Sequence, residues 1–181
     1  MNFIAGVDEV GRGCLAGPVI AAAVVLKTNI PGLADSKKLS KKKREELSST
    51  IMQNSYFSFG SASVEEIDSI NILQASLLAM KRAILNLSIE PGKILVHGTH
   101  KPDLDIDTQT IIGGDSVVDE ISAASIIAKV YRDNLMMQFD KKYPDFYFSS
   151  HKGYGTKLHK AAIKKYGITP IHRKTFKGIT A

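Results

Sequence analysis

Cysteine is almost missing: Cys14 is the only one in 181 residues. That excludes an intramolecular disulfide and a cysteine-built metal site, and it favours a reducing compartment. Long apolar runs are missing too. The longest, Val19 to Leu26, has the length of a buried strand and falls far short of the roughly 18 residues that cross a bilayer. The N-terminus shows no basic region followed by an apolar core, the pattern of a signal peptide. A cytoplasmic protein that does not engage membranes is therefore expected. There is no repeat, no low-complexity stretch and no Pro/Gly/Ser-rich linker. Those absences lead us to expect a single domain over residues 1–181, with a C-terminal helical part from about residue 140, acting as a monomer.

What remains is ordinary globular material carrying an unusual charge distribution. Hydrophobic residues make up 44% and charged residues 23% of the chain, enough to bury a sizeable core. The formal net charge is +6, which permits a polyanionic partner. Lys37, Lys38, Lys41, Lys42, Lys43 and Arg44 crowd together, and a second set from Lys141 to Lys177 loads the C-terminal third. Either cluster alone reads equally well as a solvated helix face. Together with a carboxylate site, they point to a nucleic-acid backbone held by salt-sensitive contacts.

Periodicity orders the elements. Residues 3–9 and 19–26 read as strands joined by a Gly-rich turn, and residues 57–62 alternate as a third. Ser40 is a fair N-cap for a basic helix from Lys41. Ser63 to Glu66 forms a capping-box pattern, followed by Ile67, Ile70, Leu73, Leu77, Met80 and Ile84 at helical spacing to about Leu87. Pro91-Gly92 breaks that helix before a short strand at Lys93 to Val96, and Thr110 to Ile112 is a fifth strand candidate. A helix from Ser116 to about Phe139 and a last one from about Lys157 to Tyr166 complete the order. This is an α/β domain with a mixed central sheet flanked by helices and a C-terminal helical extension.

The chemistry gathers at Val7-Asp8-Glu9-Val10-Gly11-Arg12-Gly13. A buried strand delivers two carboxylates, the natural ligands of hard cations, to a turn whose glycines let a backbone approach a ligand closely. Alone, the Asp-Glu pair also reads as a solvated turn, Asp115 in Gly113-Gly114-Asp115 as a helix N-cap, and Tyr154 as a partly buried loop tyrosine. The blocks taken together are more specific. Gly6–Gly13 (GVDEVGRG), Asp35–Ser40 (DSKKLS), Gly113–Ser116 (GGDS), Ile121–Asp133, His151–His159 (HKGYGTKLH) and Thr169–Phe176 occur in this order, and the chain resembles the bacterial ribonucleases HII, the type 2 ribonucleases H.

That resemblance implies a ribonuclease H-like fold and endonucleolytic hydrolysis of the RNA strand of RNA/DNA hybrids, especially 5′ of single ribonucleotides embedded in duplex DNA. It also implies two divalent ions, Mg²⁺ or Mn²⁺, held by converging carboxylates. Asp8, Glu9 and Asp115 match three of the family's four. Adjacent strand residues face opposite ways, so Asp8 and Glu9 share a site only at a strand end or distortion, which Gly11 would supply. The fourth position departs from the family: where it ends a short strand with Asp-Gly, this chain has His97-Gly98. An imidazole is a poor Mg²⁺ ligand and an acceptable Mn²⁺ one, so weakened Mg²⁺ binding and reduced activity are expected. Asp103, Asp105 or Asp107 are candidates to compensate.

For the substrate, the backbone of Gly11, Arg12 and Gly13 is suited to a 2′-hydroxyl, and the family's partner tyrosine maps to Tyr154. Ser36, Lys37, Lys38, Lys152, Thr156, His159, His172 and Arg173 are candidate phosphate contacts, with Arg12, Lys37, His172 and Arg173 favoured; His159 reads equally as a structural histidine. Two alternatives stand beside the nuclease. One is a non-cleaving RNA/DNA hybrid-binding protein. The other is a metal nuclease of the same fold acting on DNA alone, against which the GRG turn and HKGYG block argue.

Overall fold

The computed structural model describes residues 3–179, so the outermost residues of the expected 1–181 unit lie outside it. Five strands form one mixed sheet. β1 (Ile4–Val10), β2 (Val19–Leu26) and β3 (Ser55–Ala62) are antiparallel, while β4 (Lys93–His97) runs parallel to β1 and β5 (Thr108–Ile111) parallel to β4. The spatial order is β3-β2-β1-β4-β5. β2 is apolar along its whole length because helices cover both its faces. Ala21 and Ala23 turn toward α2 (Val64–Leu85), and Ala22 and Val24 toward α1 (Lys41–Gln53) and α3 (Asp119–Lys142).

Small residues set how near the helices come. A Cβ on Gly6 of β1 would lie 2.1 Å from the Glu120 carbonyl carbon, so the start of α3 rests directly on β1. Gly60 of β3 meets the backbone of α2 in the same way, at 2.1 Å from the Ala79 oxygen. Both expected caps form: Ser40 accepts from the Lys43 amide at 3.2 Å, and Ser63 and Glu66 make the reciprocal capping box.

The structure corrects several expected boundaries. α2 is interrupted at Asn71, which takes φ 69° and ψ 166° and caps a fresh helical turn by accepting from the Leu73 and Gln74 amides. The apolar spacing runs through this kink, which is why the stretch reads as one helix. α3 begins at Asp119 rather than Ser116, because Gly114–Ser116 forms a 3-10 turn first. The expected C-terminal helical extension is present as a 3-10 turn at Pro144–Phe146 followed by α4 (Phe148–His151) and α5 (Lys157–Tyr166). Its remaining chain is irregular and is fixed by buried side chains. Among the described residues, no helix is long and apolar enough to cross a membrane.

Candidate active site

β1, β4 and β5 run parallel, so their C-terminal ends open on the same edge of the sheet, where ligands of α/β proteins commonly bind. Asp8 comes from β1, His97 is the last residue of β4, and Asp115 sits in the turn after β5. Ligand atoms of these three lie within 4.8 Å of one another. They are the one such group of three among the described residues. Asp103, Asp105 and Asp107 are exposed in their loop and take no part in it.

The surroundings hold each member. Asp115 is fixed by its own carbonyl, which accepts from the Ser122 hydroxyl at 2.7 Å. His97 Nδ1 lies 3.6 Å from Asp115 Oδ1 and accepts, at 3.4 Å, from the Asp115 amide. The one lone pair of Nδ1 is engaged by that long contact, so a cation bound through this nitrogen would take it from the Asp115 amide. Asp8 is 5% exposed. Its carboxyl is pushed well above the usual range, first by burial and then by the neighbouring charges of Glu9 and Asp115, against a lowering influence from the Ser125 hydroxyl and the Glu9 amide.

Glu9 does not join this group. β1 continues its pairing with β2 through Val10, so no distortion separates the two acids, and Gly11 follows both of them. The pleat sends Glu9 to the opposite face from Asp8. It nevertheless borders the site, because β4 pairs with β1 only as far as Val7↔Val96 and leaves the edge beyond open. Glu9 Oε1 accepts from Arg12 at 3.2 Å, while Oε2 is buried without a partner.

Beside the cluster lies a cleft of about 440 Å³, bordered by Asp8, Glu9, His97, Arg12, Gly13, Ser36, Lys37 and Tyr154. Gly11 takes φ 96°, and a Cβ there would lie 2.2 Å from Arg132 Nε, so this turn requires glycine. Gly13 is different: it has open space around its missing side chain. Tyr154 is 40% exposed at the rim, and burial of its phenol, with Cys14 alongside, holds its pKa up. Ser36 is buried against Ser125, 3.0 Å between hydroxyl oxygens.

Four expected phosphate contacts are placed otherwise, His159 among them, fully buried with both ring nitrogens facing protein partners. Lys152 donates to the Ser149 carbonyl at 2.7 Å and borders a separate groove with Lys41 and Arg44. His172 and Arg173 are fully buried. Their polar atoms face protein partners, so neither presents a group to a substrate. Two cleft residues escaped the sequence reading, Ser125 and Lys129. They stand four apart on α3, one turn of one face, and that spacing within the small-residue stretch was the available signal. Lys129 is paired with Asp133 at 2.7 Å.

Comparison with known proteins agrees over nearly the whole chain. The profile of the ribonuclease HII family matches residues 5–179. A ribonuclease HII of Coxiella burnetii is 59% identical over 180 residues, 98% of this chain and 89% of the relative. The crystal structure of the ribonuclease H2 from Pyrococcus horikoshii superposes with a TM-score of 0.80 at 29% identity, covering 98% of this chain and 95% of that one. The ribonuclease HII in the PCNA complex of Archaeoglobus fulgidus gives 0.75 at 25% identity, with 97% and 95% covered.

Proposed function

The chain belongs to the ribonuclease HII family, metal-dependent endoribonucleases acting on RNA/DNA hybrids. From that premise we propose that it nicks duplex DNA 5′ of a single embedded ribonucleotide as well as cutting the RNA strand of hybrids, as a cytoplasmic monomer that clears ribonucleotides from DNA. The observation that carries this reading is the gathering of Asp8, His97 and Asp115 at the cleft that presents the Gly11–Gly13 turn and Tyr154.

Two carboxylates and an imidazole nitrogen fit a divalent ion. The mixed donor set suits Mn²⁺, which accepts nitrogen, better than Mg²⁺, which prefers oxygen. Glu9, with its unpartnered buried oxygen, is the further carboxylate for a second ion beside Asp8. Such ions, when bound, supply Lewis acidity at the phosphate and a more acidic water. The chain's own groups do the rest. Arg12, Lys37 and Lys129 hold the phosphate backbone, the turn's amides take the 2′-hydroxyl, and the Tyr154 ring stacks on the adjoining deoxyribose. With His97 the site carries one negative charge fewer than with the family's Asp, so its hold on Mg²⁺ is weakened and the activity reduced.

The test is cleavage of a DNA duplex carrying one ribonucleotide, in Mg²⁺ and in Mn²⁺, by this chain and by His97→Asp. Cleavage favouring Mn²⁺ here, and restored in Mg²⁺ by His97→Asp, supports the proposal; two folded proteins that never cut would end it. His97 also favours a second reading, a hybrid-binding protein that no longer cleaves, which predicts tight binding without cleavage in either metal.

A further inference from the structure

His172 and Arg173, adjacent in sequence and wholly buried, reach up to the two halves of the recognition surface from beneath. The Arg173 guanidinium donates to the Gly11 carbonyl at 2.6 Å, to that of Arg12 at 2.8 Å, and twice to that of Gly17, at 2.8 and 3.0 Å. In a trans peptide the carbonyl and the following N–H point in opposite directions. With the Gly11 and Arg12 carbonyls drawn down to Arg173, the N–H groups of Arg12 and Gly13 therefore point up, toward the cleft. Both residues are exposed, and neither N–H has a protein partner among the described residues. Gly13 has no atom near the position of a Cβ and does not adopt a left-handed φ. Nothing in the fold requires glycine there, whereas a ligand lying against its backbone would.

His172 acts in the other direction through a chain whose protons are all determined. The Thr169 amide donates to His172 Nδ1 at 2.9 Å, so the proton of this neutral ring is on Nε2. That proton goes to His159 Nε2, 3.0 Å away, which leaves His159 protonated on Nδ1. His159 Nδ1 then donates to the Tyr154 carbonyl at 2.9 Å. Both rings are fully buried, and His151 stacks on His159 with centroids 4.3 Å apart.

We propose that His172-Arg173 is a positioning strut for 2′-hydroxyl recognition, Arg173 aiming the Arg12 and Gly13 amides and His172, through His159, fixing the backbone of Tyr154. This rests on the reading of the cleft given above. The fork matters as well as the charge: a guanidinium reaches three carbonyls in one plane, and an ammonium does not. Its positive charge lies at the oxygen ends of both peptides and polarises their N–H groups toward the ligand.

The test measures binding in EDTA, where no cleavage occurs, to two DNA duplexes that differ by one 2′-hydroxyl. The wild-type protein prefers the ribonucleotide duplex. Arg173→Lys lowers that preference about tenfold, the weight of one charge-assisted hydrogen bond, while affinity for the all-DNA duplex stays within about twofold. His172→Phe keeps the ring's bulk and breaks the relay, so it lowers the preference too. His172→Gln keeps a donor toward His159 and restores it. Ile163→Ala, which loosens the same C-terminal layer without touching the relay, leaves the preference intact. If Arg173→Lys does not fold, the His172 pair carries the same test. A wild-type preference that folded Arg173→Lys or His172→Phe retains in full overturns the strut alone. No preference in the wild-type protein overturns both the strut and the reading beneath it.

Discussion

The two sides of the cleft are stabilised by opposite means. On the metal-facing side three ionisable groups crowd within 4.8 Å, a buried carboxyl is pushed toward its protonated form, and Glu9 keeps an oxygen with no partner. On the recognition side the buried donors are engaged. Arg132 gives its guanidinium to the carbonyls of Pro18, Lys152 and Ala16 at 2.9 to 3.0 Å. Arg173 does the same for Gly11, Arg12 and Gly17, and His172 and His159 complete an unbroken relay. One side is electrostatically unfinished until a cation arrives; the other is finished before any substrate does. Preorganised donors lose little freedom on binding, and a site of uncompensated carboxylates has a built-in affinity for cations.

The largest effect is expected on the finished side. Arg132→Gln removes the guanidinium that satisfies the Pro18, Lys152 and Ala16 carbonyls, the last of them buried, and should lower the unfolding free energy by about 4 kcal/mol. Urea denaturation monitored by circular dichroism would show it, and a loss under ~1 kcal/mol would mean that water replaces the arginine.

Acid should attack the same side. Burial holds His159 and His172 down to about 4, against 6.5 for a free imidazole, so between those values the unfolded chain binds more protons than the folded one. Their contribution is complete above pH 6.5 and falls away as pH drops toward 4. At pH 5 the loss is at most about 2 kcal/mol for each ring. Urea midpoints at pH 7 and 5, compared with those of a His159→Gln/His172→Gln protein, isolate the effect. An equal slope in both proteins would assign it to other groups.

The unfinished side should answer to metal instead. A ligand at about a hundred times its Kd adds ~2.7 kcal/mol. Mn²⁺ should therefore raise the melting temperature of this chain well above what equal Mg²⁺ achieves, and His97→Asp should narrow the difference. Equal shifts from both ions in the unaltered chain would show that the imidazole is no ligand.

Much of this layout was readable before the structure. The strand run Val19 to Leu26, the caps at Ser40 and Ser63 and the last helix all follow local rules. Asp8 and His97 each end a short apolar stretch and Asp115 follows one after two glycines, but it was the resemblance that joined the three into one site. The recognition side was harder, for a physical reason. His172 and Arg173 are polar residues in an irregular segment, the usual description of a surface, and only tertiary contacts reveal that they are interior. Arg132 was hidden differently, as one charge among several on a long helix. The position of Glu9 depended on where β4 stops alongside β1, a fact about register that alternation within one strand does not contain.

The smallest expected effect distinguishes the two sides by its sign. Asp8→Asn preserves shape and keeps an oxygen for the Glu9 amide, which now bonds Asp8 Oδ1 at 2.8 Å. It removes a buried charge that the charges of Glu9 and Asp115 disfavour. In EDTA the substitution should therefore stabilise the protein, by about 1 kcal/mol, where every comparable change around Arg132 or Arg173 destabilises it. Adding Mn²⁺ should reverse the order, because only the unaltered site gains from the ion. The measurement is a pair of thermal melts for each protein, with chelator and with Mn²⁺. Curves that cross in this way identify Asp8 as a group kept charged for a ligand. If Asp8→Asn is the less stable protein even in EDTA, the carboxylate is anchored by its hydrogen bonds, and the metal-facing side is as self-sufficient as the recognition side.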